Sequence, residues 1–136
     1  MMCAGLAACK GGDAHQEETP PAGPQRDRVE VLYFHTPKRC ATCAAIEEET
    51  RRVVEEQFAG QLRDSSLVFR VIDLSQEENK ALAKRYGAAW SSLFLTRWRE
   101  GRDSTLNLTL EAFAKANANP EAFKSELARK ITMFLK

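Results

Sequence analysis

The stretch YFHTPKRCATCAAIEEE, residues 33–49, sets two cysteines three positions apart between an apolar run and an acidic segment. Upstream, VEVLYFH (residues 29–35) is short, rich in β-branched and aromatic residues, and apolar without a break from Val31 to Phe34. That is the pattern of a strand buried on both faces. Downstream, Ile46, Thr50, Val53, Val54 and Phe58 recur at helical spacing, while Glu47, Glu48, Arg51, Arg52, Glu55 and Glu56 fall largely outside that stripe. The segment is therefore an amphipathic helix, with Gly60 as its expected stop. Cys40 and Cys43 stand where a buried strand hands over to a helix.

The remaining chain extends this pattern. LVFRVIDL (residues 67–74) predicts a second strand, and the polar SQEEN leads into a short helix, KALAKRY, ended by Gly87. SLFLTRW (residues 92–98) predicts a third strand, a turn holds Gly101, and TLNL (residues 105–108) predicts a fourth. Residues 110–118 read as a loop or a short helical turn. Asn119-Pro120 is an N-cap followed by proline at the first helical position, opening a helix with Phe123, Leu127, Ile131, Phe134 and Leu135 on one face. The order is βαβα then ββα. A helix between the first two strands implies a parallel pair with a right-handed crossover, and the short turn makes the last two antiparallel. The expected fold class is α/β, a mixed four-stranded sheet covered by helices.

This order, with C-x-x-C at the first strand-to-helix junction, resembles the thioredoxin fold over residues 29–136. A helix N-terminus carries roughly half a positive charge and unpaired N–H groups, which stabilise a thiolate. Geometry and the resemblance together imply that Cys40, at the helix mouth, is the exposed nucleophile with a lowered pKa, and that Cys43 resolves the mixed disulfide. Lys38, Arg39 and His35 add cationic surroundings. Three other readings stand beside this one. A structural zinc site needs four ligands, and three of the spare candidates, Cys3, Cys9 and His15, lie in the N-terminal tail, with only His35 in the body of the chain. The cysteines are otherwise incidental core residues, or two thiolates that chelate a soft ion or metalloid.

The chain departs from familiar thioredoxins at three places. Arg39 replaces the tryptophan before the pair, and Ala41-Thr42 fill the gap between the cysteines in place of Gly-Pro. No acid lies in the inner part of the first strand, where thioredoxins bury one; Glu30 is near the strand's start, so proton transfer to Cys43 must use another group or water. Ser91 or Ser92 stands where thioredoxins carry a cis-proline, and a non-proline cis bond costs about 2.5–4 kcal/mol, so a trans bond is expected. A serine hydroxyl there is positioned either to hydrogen-bond a thiolate or to cap the third strand. Trp98 is read as core, as are Tyr33 and Phe34; Trp90 is balanced between core and binding surface.

Phe34-His35, Arg39 to Cys43, Ile46-Glu47, the run from Glu78 to Tyr86, and Ser91-Ser92-Leu93 resemble a narrower group, the ArsF-type thioredoxin-like proteins (nitrophenyl compound nitroreductase subunit). Those are mostly bacterial envelope proteins associated with arsenic-resistance genes. The resemblance implies a thiol–disulfide oxidoreductase with no cofactor beyond the Cys40–Cys43 disulfide, acting on a disulfide-containing protein or small thiol. A separate, membrane-associated electron donor would restore the dithiol. The competing class is a binding module for arsenite or another soft ion, or a redox subunit of a partner reductase.

Residues 1–28 hold most of the prolines and glycines and show no periodicity, so a disordered tether is expected there and one domain over 29–136. Within it Leu6-Ala7-Ala8-Cys9 resembles a lipoprotein lipobox, which makes Cys9 the expected lipidation site and a truncated signal the expected start. The expected location is the bacterial envelope, periplasmic or lipid-anchored, or the cytoplasm if the N-terminus is not a signal. Membrane contact would come only through the lipid anchor. A formal net charge of +1, with signs interleaved, argues against a nucleic-acid partner.

Overall fold

The computed structural model describes residues 26–38 and 40–136; the expectations for residues 1–25, Cys9 among them, and for Arg39 lie outside the described residues. Strand β1 (Arg28–His35) leads through a short loop to α1 (Ala41–Gln57) and α2 (Ala59–Asp64), then β2 (Leu67–Asp73). A 3₁₀ turn and α3 (Lys80–Tyr86) precede β3 (Ser92–Arg99), β4 (Arg102–Asn107), α4 (Thr109–Lys115) and α5 (Pro120–Leu135). The sheet order is β2-β1-β3-β4, with β1 parallel to β2, and β3 antiparallel to both β1 and β4. The sequence-based succession of strands, the parallel β1–β2 pair and the antiparallel β3–β4 pair match this arrangement.

β1 is central because its side chains feed two cores. Val29, Val31 and Tyr33 pack with Ile46, Val53 and Val54 of α1 and with Phe123, Leu127 and Ile131 of α5. Leu32 and Phe34 point the other way, into a smaller cluster with Ile72, Phe94 and the α3 residues Leu82 and Tyr86. The result is a sheet between two helical layers. Trp98 is buried, as its reading as core required, and Arg85 lies over its ring at 5.0 Å.

Two local details differ from the sequence reading, and a third choice it left open is decided. Gly60 does not stop the first helix. The break falls at Phe58 (φ −129°, ψ 32°), whose ring is buried and stays with the core, and α2 resumes with Gly60 inside it. The fourth strand begins at Arg102, not Thr105, because the turn is only Glu100-Gly101, both left-handed at φ 56° and 78°. Such a two-residue turn matches strand twist and lets Arg99 pair at once with Arg102. Residues 109–115 are helical, with Asn107 Oδ1 accepting from the Thr109 amide at 3.0 Å. At α5 the expected cap is present: Asn119 Oδ1 accepts from the Ala122 amide at 3.3 Å.

The two helix-associated glycines should respond oppositely to alanine. Gly87 closes α3 at φ 67°, where a Cβ is strained, whereas Gly60 is helical with open space around its Cα. Gly87→Ala is expected to cost about 1 kcal/mol, and Gly60→Ala to stabilise by about 0.5–1 kcal/mol. Urea unfolding midpoints that moved in the same direction would contradict this placement of the helix break.

Candidate active site

Cys40 is the N-cap residue of α1, with extended backbone (φ −86°, ψ 172°). Its Sγ accepts a hydrogen bond from the Cys43 amide at 3.2 Å, taking the place a serine or aspartate oxygen takes at an ordinary cap. The two Sγ atoms of these free thiols are 2.8 Å apart, and either can be the donor. Cys40 is exposed and Cys43 is buried, so only the first offers its sulfur to a large partner. α1 has no acid in its first turn. Glu47 and Glu48 pair with Arg51 and Arg52 one turn on, at 2.8 and 2.7 Å, and Glu49 faces Lys124 at 3.8 Å. The three acids nearest the sulfurs in the helix are thus each matched by a cation.

Around Cys43 three segments converge. Ser91 Oγ lies 3.7 Å from its Sγ and is buried just ahead of β3. Tyr33 of β1 is fully buried, and its hydroxyl donates to the Cys43 carbonyl at 3.0 Å. Burial works against an anion at Cys43, but hydrogen bonds from the Cys40 side chain and main chain, then from Ser91 and Tyr33, outweigh it and hold the thiol below its ordinary value. Because the sulfurs interact directly, the first ionisation belongs to the pair.

The serines divide the two roles left open by the sequence. Ser91 faces the sulfur, while Ser92 donates to the Trp90 carbonyl at 2.7 Å and sits opposite Phe34 in the β1–β3 register. All peptide bonds among the described residues are trans, as expected for serine here. Trp90, 70% exposed, projects from the loop that presents Ser91, so it belongs to the surface and not to the core. His35, at the end of β1, directs Nδ1 to the Thr36 carbonyl at 3.1 Å. Lys38 is exposed in the loop before the pair. Among the described residues no cluster of three or more His, Cys, Asp or Glu side chains is arranged to hold a metal ion.

Tyr33 is the residue that sequence reading assigned to the core alone. The signal that points to its second role is strand alternation: Tyr33 is on the same face of β1 as Val31 and Val29, the face toward α1, whereas Phe34 faces α3. Glu30, the one acid on β1, is tied to Arg28, whose Nε donates to it at 2.9 Å.

A mixed sheet ordered β2-β1-β3-β4, β3 alone running against the others, with the cysteine pair where β1 meets α1, decides the architecture. The chain has a thioredoxin-like fold. No family model and no curated protein matches the sequence. Among solved structures it is similar to the thioredoxin of Fasciola hepatica, with a TM-score of 0.47 and 18% identity over 79% of this chain and 81% of that one. A thioredoxin from Thermus thermophilus gives 0.45 and 16% over 76% of each chain. Thioredoxin f2 of Chlamydomonas reinhardtii gives 0.43 and 16% over 66% of this chain and 76% of that one. These likenesses are distant, and the assignment of the fold stands on the strand order. The narrower ArsF-type resemblance stands on its quoted residues alone.

The lowered proton affinity of Cys43 has a thermodynamic consequence for the reduced protein. Between the folded and ordinary values the unfolded chain binds more protons than the folded one, so stability rises with pH through that window. The contribution is complete above the ordinary thiol range and is lost as pH falls through the folded value. Urea midpoints of the reduced wild type and Cys43→Ser, compared from about pH 6 to about pH 9.5, should diverge in favour of the wild type as pH rises.

Proposed function

We propose that the chain is a thiol–disulfide oxidoreductase. The observation that carries this reading is the exposed Cys40 sulfur at the start of α1, holding the Cys43 amide and lying 2.8 Å from a buried partner thiol. In the forward reaction Cys40 attacks a substrate disulfide as the thiolate, forming a mixed disulfide and expelling one substrate sulfur as a thiolate that takes up a proton. Cys43 then loses its proton and attacks Cys40 Sγ. The Cys40–Cys43 bond forms, the bond from Cys40 to substrate breaks, and the second substrate sulfur leaves and is protonated. The substrate gains two electrons and the pair loses them, so a separate dithiol donor must reduce the pair again.

Ser91 supports the anion at Cys43 by turning its hydroxyl from acceptor to donor once the thiol ionises. Lys38 and Arg39, immediately ahead of Cys40 in the sequence, bring positive charge to the segment that carries it. The exposed Trp90 offers an apolar contact for a protein substrate beside the sulfurs. We further propose that the protein is of the ArsF type and acts in the bacterial envelope, tethered through lipid on Cys9, with a membrane-associated donor. No helix among the described residues is long and apolar enough to cross a membrane.

The closeness of the two free sulfurs also favours a second reading, in which both thiolates chelate arsenite or another soft ion. One experiment ranks the two. Insulin-disulfide reduction with dithiothreitol as donor should be catalysed by the wild type and fall to the uncatalysed rate in Cys40→Ser, while reduced Cys43→Ser mixed with insulin after the dithiothreitol is removed should leave a trapped mixed disulfide. No turnover by the wild type, combined with stoichiometric arsenite binding that needs both cysteines, would reverse the order.

A further inference from the structure

A resolving thiol has to ionise inside the protein, and here the inner part of β1 carries no acid to help it. Glu30 is engaged by Arg28 near the other end of the strand, and Phe34 faces away into the α3 cluster. What lies against Cys43 from β1 is the Tyr33 hydroxyl, fully buried and hydrogen-bonded to the Cys43 carbonyl at 3.0 Å. The ring is fixed on several sides: it is packed among Ile46, Leu93 and the α5 residues and stacks near His35, with centroids 6.2 Å apart. A hydroxyl held in this way can direct its one hydrogen either to the carbonyl or to the adjacent sulfur by rotation about a single C–O bond. No main-chain movement is needed.

We propose that Tyr33 is a positioning residue for the resolving step: its hydroxyl swings from the Cys43 carbonyl to the Cys43 sulfur as that sulfur ionises, and so sets how readily the mixed disulfide is released. The role deepens the oxidoreductase reading and rests on it. Tyr33 keeps its own proton throughout; the proton lost by Cys43 passes to the departing substrate thiolate or to water. Ser91 approaches the same sulfur from the loop before β3. The anion is therefore met from two elements, and removal of either hydroxyl should leave a slowed but measurable step.

The test separates the two thiols with an aromatic disulfide, 5,5′-dithiobis(2-nitrobenzoate), in stopped flow. The first thionitrobenzoate is released when Cys40 attacks, the second when Cys43 resolves. In Tyr33→Phe the first phase should change far less than the second. The second should slow about tenfold near neutral pH, and its pH profile should move up about one unit, the size expected for one hydrogen bond to a charged group. A thermal melt checks that the variant is folded. If packing alone were at stake, both phases would change together and the pH profile would stay where it is.

A measurement on the wild type guards against a variant that does not fold. With ¹³C at the Tyr33 ζ carbon, assigned against Tyr86→Phe, its chemical shift should follow the Cys43 titration. An unchanged second phase in folded Tyr33→Phe, or a Tyr33 signal indifferent to that titration, overturns the proposal. Failure of insulin reduction is a different result. It would remove the functional reading while leaving the reagent's second phase available to judge Tyr33.

Discussion

Because the side chains of β1 are buried on both faces of the sheet, its register fixes what is attached to it, including the sulfur pair. Val29, Val31 and Tyr33 face the core under α1 and α5, and Leu32 and Phe34 face the core under α3. A fully buried side chain of this size contributes roughly 1.5–3 kcal/mol relative to exposure, so a slip of one residue, which exchanges the two faces, would forfeit several such terms at once. It would also exchange Tyr33 with Phe34. The hydroxyl beside Cys43 is therefore held in place by the hydrophobic core and not by polar contacts alone.

The cysteine pair shows a balance between two opposed effects. Burying a thiol disfavours its anion, and burial is what shields Cys43 from large partners. The same confinement brings a neighbouring sulfur, a serine hydroxyl and a tyrosine hydroxyl within reach, and their hydrogen bonds prevail. Cys40 differs in kind: as the N-cap it is open to solvent, and its sulfur is coupled to the α1 backbone through one amide. One loop and one helical turn thus give two chemically identical side chains unequal access and different surroundings.

Much of this was legible in the sequence, for specific reasons. The unbroken apolar run of β1, the helical stripe from Ile46 to Phe58 and the Asn119-Pro120 start are strong local signals, and tertiary packing agrees with each of them. The failures came where local signals were weak or packing overrode them. Gly60 reads as a stop, yet burial of Phe58 moved the break upstream. Arg102, Asp103 and Ser104 read as turn because they are polar, yet a two-residue turn at Glu100-Gly101 made them strand. At the site, spacing revealed the cysteines, but not which serine faces them, since Ser91 and Ser92 are adjacent and only the pairing of Ser92 with Phe34 decides it. Tyr33 was hidden because an aromatic residue in a buried strand looks like ordinary core until the alternation of β1 is set against α1.

The outer strand β4 also bears on how the molecule behaves in a crowded solution. It is six residues long, largely exposed, and begins with Arg102 and Asp103. A bare strand margin is an invitation for another chain to add on, and charge with short length is a common deterrent. On the opposite margin, β2 carries the exposed Arg70 between the apolar Phe69 and Val71. Both flanks of the sheet thus carry charge of the kind that discourages a neighbouring chain from extending it, a property that would suit the proposed exchange with protein disulfides.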